Sequence, residues 1–346
     1  MIYINGRFLS QRITGIQRYA YEICCALQQI GVACTILAPT DIREEYDLTD
    51  LTVEVIDGKG SHWWEQVTLP RYMRRHHDGQ LLLSLSGLSP LLYNRNILTI
   101  HDISYLLRPR SYSLAYCLYY RFMTPLVAKR AKKIITVSQF SKQEIVKYLH
   151  LQPDQIEVVY SAVRPRPLLP RDSNQKYLLA VGGPVPRKNI QRLLEAYCGM
   201  NHPDYQLYIA GGKHAVYANA EWSTYTHHAG VHVLGYVEEE EIIRLYRNAT
   251  AYITPSLYEG FGTTNLEAMN QKCPVVAADI PAFHEVCGEA ALFFDPLDIR
   301  DMQDKMNRIM QDDALRRQLA NKGTEQLNLF SWIKSAERIK NIIGNL

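Results

Sequence analysis

Residues 257–269 read LYEGFGTTNLEAM. Glu259 and Glu267 stand on either side of a Gly260-Phe261-Gly262 turn that runs into Thr263 and Thr264. The run before it, ATAYITPS (249–256), is apolar and β-rich and stops at Pro255; the run after it, TNLEAMNQK (264–272), has helical character. Glu259–Gly262 is therefore a loop between a strand end and a helix start. Amides at a helix start attract anions, phosphate above all. Glycines there let a ligand come close to the backbone. Each acid also has an ordinary reading. Thr264-x-x-Glu267 fits a capping box, in which Glu267 only satisfies an amide, and Glu259 reads equally well as a surface acid.

The strand–loop–helix unit repeats outward from this stretch. Upstream, YLLAVGG leads into NIQRLLEAYC, and VHVLGYV into EEEIIRLYRNA; downstream, PVVAAD and ALFFDP precede a long helix from about Asp298. The first half repeats the pattern, from MIYIN and GIQRYAYEICCAL to KIITVS and QFSKQEIVKYL, where Ser141-x-x-Glu144 reads as a capping box. Such alternation predicts parallel sheets with helices on both faces. The stretch VRPRPLLPRDSNQK (163–176), with its prolines and charges, marks an exposed linker. The expected organisation is an α/β chain of two Rossmann-like, doubly wound domains, residues 1–165 and 166–330, with a final helix over 331–346. Two such sheets facing one another would hold a ligand in the cleft at their strand ends.

Composition narrows the class. At 346 residues with 47% hydrophobic and 21% charged residues, the chain is an ordinary soluble globular one of about two domains. Residues 1–165 carry 19 Lys/Arg against 14 Asp/Glu, and Ile103–Lys147 holds nine basic residues with Glu144 as its one acid. That block suits an anionic surface or substrate, or is a solvated face. The seven cysteines show neither CxxC nor zinc spacing, which fits a reducing cytoplasm. The chain opens on a strand-like MIYING, so no signal peptide is expected. Its uncharged run 79–94 is broken by Pro90 and is too short to span a bilayer of roughly 30 Å.

The run Glu259-Gly-Phe-Gly-Thr-Thr-Asn-Leu-Glu-Ala-Met269 resembles the E-x7-E element of the retaining glycosyltransferases of family 4, which have the GT-B fold. The likeness continues through CPVVAADIPAFHEVCGEAALFFDPLD, AVGGPVPRKNIQRLLEAY and VHVLGYVEEEEIIRLYRNA, and in the first half through TGIQRYAYEICCAL, LTIHDISY and IITVSQFSKQEI. It implies that Arg187 and Lys188 stabilise the leaving diphosphate, where one preorganised donor is worth about 3 kcal/mol. Amides near Gly262, Thr263 and Thr264 would add to this. It further implies that Glu259 holds the donor-sugar hydroxyls and Glu267 those of the ribose, since a carboxylate accepts two bonds from a vicinal diol. Phe261 and Gly183 belong to the same phosphate and sugar loops, and Val237 to the base-side segment. Gly15 is similar to the glycine of the loop that closes over the diphosphate, and His101 to the histidine that contacts the donor sugar.

Two departures are visible. Thr263-Thr264 replaces the usual Leu-Pro, and the loop Gly183-Pro184-Val185 carries no charge. No Asp-x-Asp occurs, which fits a metal-independent enzyme with no cofactor beyond its nucleotide-sugar co-substrate. The resemblance implies front-face substitution, with the leaving phosphate helping to take the acceptor proton, so no nucleophile is assigned. The acceptor belongs to the first domain in this fold. There RYMRRHH (71–77), the tyrosines at 112, 116, 119 and 120, and Trp63 and Trp64 suit an anionic membrane interface and a polyprenyl-diphosphate-linked glycan. The tyrosines equally fit a helix packed on the core.

The resulting expectation is a cytoplasmic, peripherally membrane-bound transferase of surface-polysaccharide (O-antigen or capsule) assembly, with GDP-mannose as leading donor and no nucleic-acid partner. A UDP-sugar enzyme of the same fold, an epimerase or phosphorylase, and a non-catalytic nucleotide-sugar-binding subunit stand as alternatives. A dehydrogenase is disfavoured, because no G-x-G-x-x-G is present.

Overall fold

Short apolar runs become strands and the amphipathic runs between them become helices. A computed structural model describes residues 2–172, 174–201, 204–212, 225 and 228–346. The chain divides into two units, Met1–Ala162 with Phe330–Leu346, and Val163–Leu329. It leaves the first unit at the head of the proline-rich stretch rather than inside it.

The first unit runs β1 (Ile2–Asn5), α1 (Gly15–Gln29), β2 (Cys34–Ala38), β3 (Val53–Val55), α2 (Leu69–His76), β4 (Leu81–Ser84), β5 (Asn96–Thr99), α3 (Ser104–Leu107), α4 (Leu114–Arg130), β6 (Lys133–Thr136), α5 (Gln139–Leu149) and β7 (Ile156–Val158). Its strands form one parallel sheet in the order β3-β2-β1-β4-β5-β6-β7. Every residue of β1, β4 and β5 is buried, because helices cover both sheet faces, and this is why they read as unbroken apolar runs. The edge strand β3 is Val-Glu-Val and partly exposed, and shows no such run. Progress along the sheet reverses between β1 and β4, so the loops leaving those two strands diverge at their carboxyl ends.

The second unit runs β8 (Tyr177–Val181), α6 (Ile190–Cys198), β9 (Gln206–Ala210), β10 (Val231–Gly235), α7 (Glu239–Asn248), β11 (Ala251–Thr254), α8 (Thr263–Asn270), β12 (Val275–Ala278), α9 (Pro281–Cys287), β13 (Ala291–Phe294), α10 (Ile299–Gln311) and α11 (Asp313–Leu327). Its parallel sheet has the order β10-β9-β8-β11-β12-β13, with the reversal between β8 and β11. The last helix, α12 (Trp332–Gly344), belongs to the first unit. Trp332 packs edge-on against Tyr19 of α1 at 5.7 Å, and Ser335 donates to the Tyr160 carbonyl at 2.8 Å.

Several local expectations are corrected. α5 is capped by Ser138, whose hydroxyl accepts from the Ser141 amide at 2.9 Å, so Ser141 lies in the first turn and is not the cap. The long helix after Asp298 is two, because Asp312 ends one and caps the next. Trp64 is 1% exposed and sits in the core, whereas Trp63 is 70% exposed, so the two do not share a surface. Tyr112, Tyr119 and Tyr120 pack inward on the core, and the outer face of α4 carries Leu114, Leu118, Phe122 and Leu126. Among the described residues no helix is long and apolar enough to cross a membrane.

Candidate functional site

Ligands of open α/β sheets sit beyond the strand ends where the order reverses. In the second unit that place lies between β8 and its neighbour β11. The loop after β8 passes through Gly182 to Val185 and tightens into a short turn, Pro186–Lys188. Asn189 follows in the left-handed region at φ 56° and is buried. Its amide donates to the Pro255 carbonyl at 3.0 Å and the Pro296 carbonyl at 2.8 Å. The Leu257 amide donates to the Arg187 carbonyl at 2.8 Å. These bonds stitch the basic turn after β8 to the loops after β11 and β13. The role of Asn189 as a tie has no signature in sequence, because its partners are backbone carbonyls.

The stitching brings Arg187, Lys188 and Glu259 together. Arg187 Nη1 lies 3.0 Å from Glu259 Oε2, and Lys188 Nζ lies 2.7 Å from Oε1. Ser256 also donates to Oε1, at 2.9 Å. The Glu259 side chain is 13% exposed. Burial pushes its carboxyl up, but the Lys188 and Arg187 charges and the Lys188 and Ser256 hydrogen bonds outweigh burial and hold it below the usual carboxylate range. Glu259 is therefore an ionised, fully engaged acid, not an ordinary surface residue. Its pairing with the two cations was not foreseen from sequence, since the partners lie some 70 residues apart.

The glycine turn has a strict steric cause at one position. Gly262 takes φ +106°, and a Cβ there would meet a ring carbon of Phe283 at 2.6 Å. Only glycine fits, and α8 starts on the next residue. Phe261 is buried at 5% exposure, with its ring in the core. Thr263 and Thr264 are the first two residues of α8, and Gly262 is its N-cap, so Thr264-x-x-Glu267 is not a capping box. Glu267 instead accepts from the Tyr246 hydroxyl at 3.2 Å.

Gly183 is not forced by conformation: a Cβ there would make only ordinary contact, 3.8 Å from Gly212. The close approach is at Gly211, at φ +107°, whose Cβ would press on the Gly182 backbone at 3.2 Å. Val237 lies just after β10, two strands from β8, which is about 10 Å along the sheet.

Gly15 and His101 belong to the first unit. Gly15 is exposed at the start of α1, and a Cβ there meets nothing within 4 Å. His101 follows β5, and its Nε2 lies 2.9 Å from the Leu85 carbonyl oxygen. A carbonyl can only accept, so Nε2 carries the proton and Nδ1 keeps a lone pair. Burial pushes the imidazole down, against the Leu85 bond and the Asp102 charge, which favours the neutral ring. Tyr19 packs edge-on against it at 4.9 Å.

Residues 13–166 match the family described as Glycosyltransferase Family 4, and residues 166–326 match Glycosyl transferases group 1. The O-antigen chain mannosyltransferase RfbU of Salmonella typhimurium is 33% identical over 91% of this chain and 92% of its own. The O-antigen chain mannosyltransferase B of Escherichia coli is 32% identical over 70% of this chain and 68% of its own. The crystal structure of Anabaena HepE in complex with UDP and glucose shares the fold, with a TM-score of 0.75 at 16% identity over 100% of this chain and 99% of that one. Similarity of this extent, on the strand-end site just described, places the chain in glycosyltransferase family 4, as a glycosyltransferase of the GT-B fold.

Proposed function

We propose that this glycosyltransferase moves mannose from GDP-mannose, with retention and without a metal ion, to a polyprenyl-diphosphate-linked glycan during O-antigen assembly. The observation that carries the reading is the Lys188–Glu259–Arg187 cluster at the β8/β11 reversal. Glu259 compensates two cations, Arg187 and Lys188. A nucleoside diphosphate arriving there takes over Arg187 and Lys188 as its own counter-charges. That exchange frees the Glu259 oxygens to accept from the sugar hydroxyls, so donor binding and sugar placement become one event. As the glycosidic bond breaks, charge gathers on the diphosphate, where the two cations and the start of α8 stabilise it. Tyr246 holds Glu267 in place for the ribose. Mannose is chosen over other sugars from the two O-antigen mannosyltransferase relatives.

The finer acceptor reading rests on α4. Leu114, Leu118, Phe122 and Leu126 are exposed at i, i+4 spacing, beside exposed Arg108, Arg110, Arg121, Lys129 and Arg130. An apolar stripe rimmed by cations suits the anionic inner leaflet, where a lipid-linked acceptor is presented. The reading is of a peripheral protein at the cytoplasmic face of the membrane.

A thermal-shift titration with GDP, UDP, ADP and dTDP, with and without magnesium, tests the donor. A ligand at 100 times its Kd stabilises by about 2.7 kcal/mol. A shift with GDP that is unchanged by magnesium supports the reading. A shift with UDP alone moves the donor to a UDP-sugar, and no shift with any nucleotide overturns the assignment of the Lys188–Glu259–Arg187 cluster to a nucleoside diphosphate.

A further inference from the structure

A polar groove runs along the C-terminal half of α1, on the flank of the first unit. Between the parallel strands β1 and β2, α1 runs back against the strand direction, so its last turn lies at the amino edge of the sheet. After β2 the chain returns through residues 39–52 to that same edge and enters β3 at Val53. The groove lies between this returning segment and α1, from Tyr21 to Gln29, a run of about 12 Å at 1.5 Å per residue. Its volume is about 670 Å³, within the range of small-molecule sites. β1 and β2 are four and five residues long, so the amino edge is about 15 Å from the carboxyl edge of the sheet.

The outer wall of the groove is held in place. The Tyr21 phenol donates to the Asp47 carbonyl at 2.7 Å and ties the segment to α1. Asp47 Oδ1 accepts from the amide and the hydroxyl of Thr49, at 3.0 and 2.6 Å, which closes a tight turn. The Leu51 amide donates to the Leu48 carbonyl at 3.0 Å, and the Ile36 amide to the Thr52 carbonyl at 2.9 Å, so the far end is fastened to β2.

The lining sets the chemistry. Gln28 and Gln29 present exposed amides from α1, and Asp50 and Thr52 present an exposed carboxylate and hydroxyl from the wall opposite. These four side chains make no hydrogen bond or ion pair among the described residues. Half-buried Cys25 and Leu51 add apolar surface between them. No Lys, Arg or His lines the groove, so it offers a phosphate no counter-charge. Among the described residues no group of three potential metal ligands is assembled. A single solvated carboxylate holds an amine weakly. Amides and a hydroxyl that both donate and accept, with one acceptor-only carboxylate, match an uncharged ring bearing many hydroxyls.

We infer that this groove is a second, non-catalytic glycan site, which grips the neutral oligosaccharide being extended through Gln28, Gln29, Asp50 and Thr52. The inference rests on the transferase reading above and adds a hold on the glycan away from its reacting end.

The test is nitrogen-15 NMR of the full chain with mannotriose, maltotriose, methyl α-mannoside and inorganic pyrophosphate. The backbone amides of Gln28, Gln29 and Asp50 should shift with at least one trisaccharide and not with pyrophosphate. The variant Gln28→Ala with Asp50→Ala should raise the midpoint of that titration at least about tenfold, as for the loss of two neutral hydrogen bonds. Both residues are exposed, so Tm should not move. In transfer assays the variant should raise KM for an acceptor of several sugars and leave kcat, and KM for an acceptor of one sugar, as in wild type. Absence of transfer by wild type would count against the transferase reading, while the titration still reports on the groove. Groove amides that stay fixed with both trisaccharides, that move equally with methyl α-mannoside or pyrophosphate, or that titrate alike in the variant overturn the inference, as does an unchanged KM for the longer acceptor.

Discussion

Lys188 Nζ lies 2.7 Å from Glu259 Oε1, although Lys188 follows β8 and Glu259 follows β11. The two strands are sheet neighbours only because the chain reverses direction between them. The contact therefore exists at the one place in this sheet where two strand-end loops part to admit a ligand. It also sets a competition, since an anion on Lys188 and the carboxylate of Glu259 want the same charge.

Glu259→Gln should separate binding from turnover. Loss of the competing carboxylate leaves GDP binding as tight as in wild type or tighter. Transfer should fall by on the order of 100-fold, as for loss of one preorganised site contact. Calorimetry with GDP and a transfer assay read the two effects. GDP affinity that falls in step with transfer would contradict the exchange.

Arg187→Ala and Lys188→Ala should each raise the Kd for GDP by roughly 10- to 100-fold, the range for a charged hydrogen bond. Binding of the wild type should weaken with added salt, and less steeply in either variant. A variant with wild-type affinity and salt dependence would remove that residue from the diphosphate site.

Gly262→Ala combines a φ of +106° with a clash at 2.6 Å on the Phe283 ring. A cost of about 2 kcal/mol or more is expected, visible as a lower Tm, together with loss of nucleotide binding as the start of α8 moves. Gly15→Ala meets no atom and should leave Tm unchanged.

Glu65 titrates in the opposite sense to Glu259. Burial pushes its carboxyl up to about 7, against the Arg7 charge and the Asn5 and Arg7 hydrogen bonds. From pH about 4.5 to about 7 the folded chain keeps a proton that the unfolded chain has lost, so this group makes stability fall as pH rises through that window. The groups facing it are Arg7, Asn5 and His62, with Tyr119 and Tyr120 of α4. Denaturant unfolding of wild type and Glu65→Gln across this range should show the slope removed in the variant. Parallel pH profiles would contradict the raised value.

Leu118→Glu with Phe122→Glu should abolish sedimentation with vesicles rich in phosphatidylglycerol, with GDP binding unchanged. Both side chains point outward from α4, so the fold should tolerate the change. Vesicle binding that survives the double substitution would place the membrane contact elsewhere.

Much of this protein was legible in its residues alone. Strands buried on both faces announce themselves as apolar runs, because helices on either side demand apolar residues at every position. The glycine turn, the basic pair and the two glutamates stood out because they are local and chemically distinctive. Properties that depend on what a side chain meets were decided only by the tertiary structure. Trp63 and Trp64 are adjacent in the chain, yet one is solvent-facing and the other core, because a helical turn separates neighbours by about 100°. Phe261, Tyr119 and Tyr120 turn inward to the core, while Tyr116 of the same helix α4 stays exposed. The compensation of Arg187 and Lys188 by Glu259, and the burial of Glu65 between Asn5 and Arg7, join residues tens of positions apart. The folded arrangement of strands and the turns that leave them makes these residues neighbours, and pairwise electrostatics at about 3 Å follow from that proximity, not from any spacing along the chain.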